Sequence, residues 1–247
     1  MRASRSSAAL IASLACLLAA SLPSIAAARG KRCLPGMVSI LGQFCVDPYE
    51  AAIDEKHGRK WTHHSPFLSV AGLQIRATSK KGVYPQAYIS RDEAEQACKA
   101  SRKRLCRSEE WLTACRGRKP TRYPYGPDRK AGYCNDAGAS PLNHYYGSSG
   151  GVDAAAYGFG AMNDPRLNQF PGSLARTGAF RKCTNAFRVF DMVGNLHEWV
   201  DDASGTFRGG YYLDTRINGE GCDYHTVAHD AKYHDYSTGF RCCADLR

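Results

Sequence analysis

His225, His229 and His234 lie close together in sequence, and neutral imidazole is a common ligand for first-row metals. His225 and His229 would share one face if their segment were helical. The surrounding Asp223, Tyr224, Asp230, Tyr233, Asp235 and Tyr236 suggest a polar loop instead, in which the same rings would only exchange hydrogen bonds. Asp191 and Glu198 carry a different chemistry. Their carboxylates flank Gly194, which can take positive φ and turn carbonyl oxygens inward, an arrangement that suits a hard cation such as calcium. The competing reading is that these acids cap turns or pair with arginines such as Arg188 and Arg208. His197, beside Glu198, could exchange a proton near neutral pH in a pocket but not on a wet loop. Trp199 reads as core. No G-x-S-x-G elbow, P-loop or H-E-x-x-H pattern occurs, so the chemistries those motifs carry have no support.

The chain that must position these groups has 247 residues, a formal net charge of +10 and 11 cysteines. Arg2 and Arg5, an apolar run over 8–20 and then Ala26-Ala27-Ala28 make the three-part pattern of a signal peptide over 1–28. That run is too short for a membrane span. Cys16 after Leu14-Ala15 is the alternative, a lipid-attachment cysteine, but it sits inside the apolar run behind an unsuitable Ser13. Export to a periplasm or to the outside would leave an even set of cysteines in residues 29–247, which suits disulfides. Cys33 and Cys45 could form a local bridge around Pro35-Gly36. The positive balance could draw nucleic acid or an anionic surface. Lys and Arg are spread between Lys31 and Arg241, however, and the densest run, 99–104, reads as a solvated face, so no nucleic-acid partner is expected.

Residues 29–247 read as one domain, because no linker, heptad or repeat divides them and 147–151 marks only a flexible loop. Two helices stand out. Ser90 with Glu93 makes a capping box, and Ala94, Ala97, Cys98 and Ser101 fall on one small-residue face, which predicts a helix over 91–102. Ser108 followed by Glu109 and Glu110 starts a second, with Trp111, Leu112 and Cys115 inward and Gly117 ending it. Elsewhere Pro, Gly, Asn and Tyr dominate, which describes an irregular, loop-rich α+β domain.

The motifs on and after these helices resemble the sulfatase-modifying-factor family, the formylglycine-generating enzymes. Asp191-Met192-Val193-Gly194-Asn195-Leu196-His197-Glu198-Trp199, Arg208-Gly209-Gly210 and Gly239-Phe240-Arg241 follow that family's D-M-x-G-N-x-W-E-W, R-G-G-S and G-F-R. Residues 103–117 follow K-R-L-P-T-E-A-E-W-E-Y-A-x-R-G, and Tyr123-Pro124-Tyr125-Gly126 follows Y-P-W-G. The resemblance implies an irregular, C-type-lectin-like α+β fold with little regular secondary structure.

It also implies a chemistry, the oxidation of a substrate cysteine to formylglycine on a copper-binding cysteine pair between R-G-G and G-F-R. Residues 211–217 contain no sulfur and the whole interval holds only Cys222, so copper is not expected. Carried over residue by residue, the family's bridges pair Cys98 with Cys242 and Cys115 with Cys222. Cys134–Cys183 and Cys106–Cys243 then remain by elimination, although sequence does not fix connectivity. The same resemblance places structural calcium on the Asp191 and Glu198 side chains and the carbonyls of Gly194 and Leu196. A second site is expected near Asn135 and Asp136, closed by Asp164. His197, Arg208, Tyr211 and Tyr212 would line a cleft for a peptide or small ligand.

Two functional classes follow. One is an exported binding or structural module held by disulfides and calcium, which the missing copper cysteines favour. The other is a divergent oxidoreductase: a formylglycine-generating sulfatase activator, or a non-haem iron enzyme using His225, His229 and His234.

Overall fold

The computed structural model describes residues 32–148, 151–227 and 229–247; the expected signal peptide over 1–28 and Cys16 lie outside them. A hairpin of β1 (Val38–Ile40) and β2 (Phe44–Val46) comes first. Then β3 (Ala51–His57), β4 (Lys60–His63) and β5 (Ile75–Ser79) form an antiparallel sheet with β3 in the centre. Next come α1 (Arg91–Ala100), β6 (Arg104–Leu105) and α2 (Ser108–Arg116). A loop-rich stretch follows, with α3 (Pro141–Tyr146), the short pair β7 (Gly147–Ser148) and β8 (Gly151–Val152), and α4 (Phe159–Met162). The last strands are β9 (His197–Trp199), β10 (Phe207–Arg208), β11 (His225–Thr226), β12 (Thr238–Phe240) and β13 (Cys242–Asp245).

Two four-stranded sheets bring the ends of the domain together. One has the order β1-β2-β13-β6, so the C-terminal strand is inserted between the N-terminal hairpin and the residues after α1. The other has the order β11-β10-β9-β12, with β9 and β12 parallel and the other pairs antiparallel. The His197-Glu198-Trp199 and Gly239-Phe240 motifs are therefore hydrogen-bonded neighbours, with Gly239 opposite Glu198.

The capping box forms as expected. Glu93 N–H donates to Ser90 Oγ at 3.3 Å, while Ser90 N–H donates to Glu93 Oε2 at 2.9 Å. α1 stops two residues earlier than its pattern suggests. Arg102 takes φ 60°, and Lys103 N–H donates back to Cys98 O at 2.9 Å, so the chain turns into β6. Ser108 is not the cap of α2. It is the first helical residue, Arg107 takes the cap position, and Glu110 Oε2 accepts from Arg107 N–H at 2.9 Å. Gly117 ends α2 at φ 77°, as expected.

The core falls into packed clusters, one around Trp111, Phe44 and Val189, another around α1, Trp199 and Phe240, and a third of Tyr88, Leu167, Tyr212 and Tyr236. Five disulfides cross these clusters: Cys33–Cys45, Cys98–Cys242, Cys106–Cys243, Cys115–Cys222 and Cys134–Cys183. They match the expected pairs and hold every cysteine of the described residues. Both helices are stapled to C-terminal segments, α1 by Cys98 and α2 by Cys115. Such short strands and long loops could not hold register by backbone pairing alone. Among the described residues no helix is long and apolar enough to cross a membrane.

Candidate functional site

The segment 190–199 is built on strained backbone. Asp191, Gly194 and Asn195 all take positive φ, at 59°, 77° and 62°. Gly194 serves close approach. A Cβ there would sit 2.1 Å from Asn135 O, and its N–H donates to Gly209 O at 2.9 Å. Asn195 extends the join: its Nδ2 donates to Glu50 Oε2 at 2.6 Å, while its Oδ1 accepts from Ala175 N–H and Asn135 Nδ2, each at 2.9 Å. Leu196 N–H donates to the other Glu50 oxygen at 3.2 Å.

Glu198 is already fully engaged. Arg241 Nη2 donates to its Oε1, and Arg241 Nε and Trp111 Nε1 both donate to its Oε2, each at 2.6 Å. Arg241 is completely buried, and its remaining donors reach Asp47 O and Phe190 O. Asp191 accepts from Gly178 N–H at 2.6 Å. Burial pushes Asp191 up to about 7, against the pull of the Gly178 N–H and of Arg241. Burial, then the charges of Asp191 and Glu198, hold Glu50 well above the carboxylate range. The centre is thus a guanidinium among three carboxylates, one of which it pairs directly.

This arrangement does not fit calcium. A dication at Glu198 would have to displace a fixed positive charge and break three hydrogen bonds. The expected set of Asp191, Gly194, Leu196 and Glu198 is therefore not assembled as a calcium site, and Arg241 takes the cation's role. The arginine partner is neither Arg188, which is exposed, nor Arg208, whose Nε donates to Ser108 Oγ at 2.7 Å. The second expected site is also dispersed. Asn135 Nδ2 bonds Ser173 O as well as Asn195, Asp136 pairs with Arg129 at 2.7 Å, and Asp164 is taken by Arg166 and by Tyr146 OH.

The three histidines do not converge either. His225 is exposed, with Nδ1 3.1 Å from Asp223 O. His229 stacks on Tyr233 at 3.6 Å between ring centroids, and His234 Nδ1 lies 2.7 Å from Asn163 Oδ1. Among the described residues no group of three or more His, Cys, Asp or Glu is placed to hold a metal ion. The segment is a polar loop, and aromatic stacking and carbonyl contacts use its rings.

Of the expected cleft, His197 and Tyr212 belong to the core, with 6% and 0% exposure. The His197 ring packs against Phe207 at 4.4 Å, Tyr211 at 4.8 Å and Tyr224 at 5.5 Å, and its Nδ1 is buried without a partner. Burial, with His229 nearby, lowers it to about 3, so it stays neutral and transfers no proton near pH 7. Tyr211 is half-buried at the rim, with its OH 3.5 Å from Tyr236 OH. Arg208 is half-buried too, and desolvation lowers its pKa.

Cavities open elsewhere, on a face that the sequence reading did not single out. One, of about 330 Å³, is lined by Arg116, Arg118, Lys119, Tyr125 and Asn185 among others. Another, of about 240 Å³, is lined by Lys81, Arg181, Thr184, Asn185, Arg188 and Phe190. The available signal was negative: residues 165–190 and 111–127 contain no Asp or Glu.

Between Arg208-Gly209-Gly210 and Gly239-Phe240-Arg241 the only sulfur is Cys222, bonded to Cys115 and fully buried.

Among solved structures, PvdO from Pseudomonas aeruginosa is similar at 14% identity over 82% of this chain and 80% of that one, with a TM-score of 0.48. CarF is similar at 18% identity over 66% of this chain and 68% of that one, with a TM-score of 0.45. The P3c variant of the Major Tropism Determinant is similar at 14% identity over 87% of this chain, with a TM-score of 0.45, and this chain spans 54% of its length. No curated protein matches. The sulfatase-modifying factor enzyme 1-like domain matches residues 42–246, and with its motifs joined across β9 and β12 the chain belongs to that family.

Proposed function

We propose that this protein is an exported binding or structural module of the family, without the copper-dependent oxidation of cysteine. The observation that carries this reading is the disulfide accounting. Copper oxidation of a thiol needs two thiolates at the metal. Here every cysteine of the described residues is in a bridge, and residues 211–217 hold none. The five bridges and the signal-peptide pattern of 1–28 support export to an oxidising compartment. The scaffold is held by covalent staples and by the Arg241 network, which leaves the loops free to carry a ligand surface.

The test is to incubate the purified, copper-treated protein with a Cys-x-Pro-x-Arg peptide and to look for aldehyde by mass, alongside thiol titration and metal analysis. The expected result is no aldehyde, no free thiol in the mature chain and no stoichiometric copper or iron. Catalytic conversion of the peptide would overturn the reading.

A further inference from the structure

The two cavities of the basic face share one lining residue, Asn185. Three cations line each: Arg116, Arg118 and Lys119 on one side, Lys81, Arg181 and Arg188 on the other. No carboxylate lines either. Arg116 has an acidic partner in Asp223, and none of the other five forms an ion pair among the described residues. Cations held together without counter-ions repel one another, and an anionic ligand relieves that repulsion.

Folding assembles this face from three acid-free stretches, 56–91, 111–127 and 165–190. Thr177 ties the first to the third, with its N–H donating to Val83 O at 2.8 Å and its O accepting from Gly82 N–H at 2.9 Å. Asn185 ties the second to the third. Its Nδ2 donates to Ala114 O at 2.6 Å and to Cys115 O at 3.0 Å, which also quiets the negative end of α2 beside the cavity. Arg188 takes φ 62°, where glycine would be easier by about 1 kcal/mol, and this turn carries its side chain to the surface. Each cavity also has an aromatic wall backed by a second ring: Tyr125 stacks on Tyr123 at 5.6 Å and Phe190 on Tyr49 at 5.2 Å.

We propose that this face binds an acidic polysaccharide, a chain whose linked sugars carry sulfate or carboxylate. Two bounded cavities that share Asn185 suit charged substituents on successive rigid rings. A nucleic acid would need a continuous track for its phosphates. An acidic peptide offers no flat ring to lie against Tyr125 or Phe190. An anion would bind here with or without oxidase activity in the chain.

The test is calorimetric titration of the full mature protein with a size-defined heparin hexasaccharide. The triple variant Lys81→Glu, Arg181→Glu, Arg188→Glu should bind about 100-fold more weakly. The charge-matched triple Arg59→Glu, Lys60→Glu, Lys232→Glu, outside both cavities, should lose less than about fivefold. Arg188→Gly relaxes the turn, keeps the fold and should weaken binding about tenfold. Equal losses in the two triples would show attraction by net charge alone and overturn the site. A hexaglutamate peptide or a short oligonucleotide binding as tightly as the hexasaccharide, with the same dependence on Arg188, would overturn the ligand class.

Discussion

Arg241 and Glu198 form a bidentate ion pair inside the domain, with side-chain exposures of 0% and 1%. Arg241 comes from the turn between β12 and β13, and Glu198 from the middle of β9. The pair therefore joins the two C-terminal motifs by charge where β9 and β12 already join them by backbone. Removing Arg241 would leave Glu198 without its counter-charge beside Asp191 and Glu50. Arg241→Met is expected to cost about 3–5 kcal/mol in urea unfolding. Adding Glu198→Gln should recover part of that loss, because the uncompensated charge disappears. A single variant no more damaging than a surface change would show that the pair does not hold the core.

Acid should act on this domain through opposed groups, His197 on one side and the raised carboxyls of Asp191 and Glu50 on the other. His197 is lowered in the folded state, so the unfolded chain binds its proton first. Its contribution is complete above the ordinary histidine value and is lost as pH falls through about 6.5 toward 3, amounting to about 2 kcal/mol at pH 5. Asp191 is raised to about 7, so its ionisation opposes folding as pH rises from about 3.8 through 7. Between pH 7 and 5 the two changes nearly cancel, so His197→Phe, which keeps the ring packing, should make stability rise relative to the native chain as pH falls over this range. Asp191→Asn should make stability fall relative to the native chain as pH drops from 7 to 5, since this carboxyl no longer offsets the histidine. Unfolding curves across this range check both signs, and identical pH profiles for the two variants would contradict the assignment.

Calcium should leave stability unchanged. A site filled at a hundred times its dissociation constant would add about 2.7 kcal/mol, several degrees of Tm in a domain of this size. With Glu198 saturated by Arg241 and Trp111, millimolar calcium or its chelation is expected to move Tm by less than about 1 °C. A saturable upward shift would return Asp191 and Glu198 to the role of ligands.

Local features were legible in the sequence, and distant ones mostly were not. The capping box of Ser90 and Glu93 spans three residues and needs no tertiary information, so α1 begins where its pattern begins. Its end was misplaced because the left-handed Arg102 is set by the turn into β6, which pairs with β13. Asp191 and Glu198 stood out as acids needing a cation. Which cation was hidden, because Arg241 lies far along the chain and Glu50 lies in the N-terminal part. His197 and Tyr212 looked like recognition residues because their burial depends on Phe207, Tyr224 and Tyr236 closing around them. The basic face was invisible for the same reason: its cations are scattered in sequence and meet only across Thr177 and Asn185.

The Cys115–Cys222 bridge ties α2 to the segment between the R-G-G and G-F-R motifs. It closes 107 residues, and on the chain-entropy view its loss costs at most about 4.7 kcal/mol. Cys115→Ala with Cys222→Ala should therefore lower the unfolding midpoint while leaving the other four bridges intact by peptide mapping. Cys222→Ala alone frees the Cys115 thiol, which is buried beside Met192 O, while every other cysteine of the described residues stays in a bridge. Copper added to this variant is expected to produce no peptide aldehyde, because one buried thiol cannot supply the paired thiolates that cuprous ion prefers. Measuring stability and aldehyde formation on the same samples distinguishes a structural staple from a masked ligand. A staple changes only the first, whereas oxidase activity unmasked by Cys222→Ala would show that the bridge conceals a competent copper site.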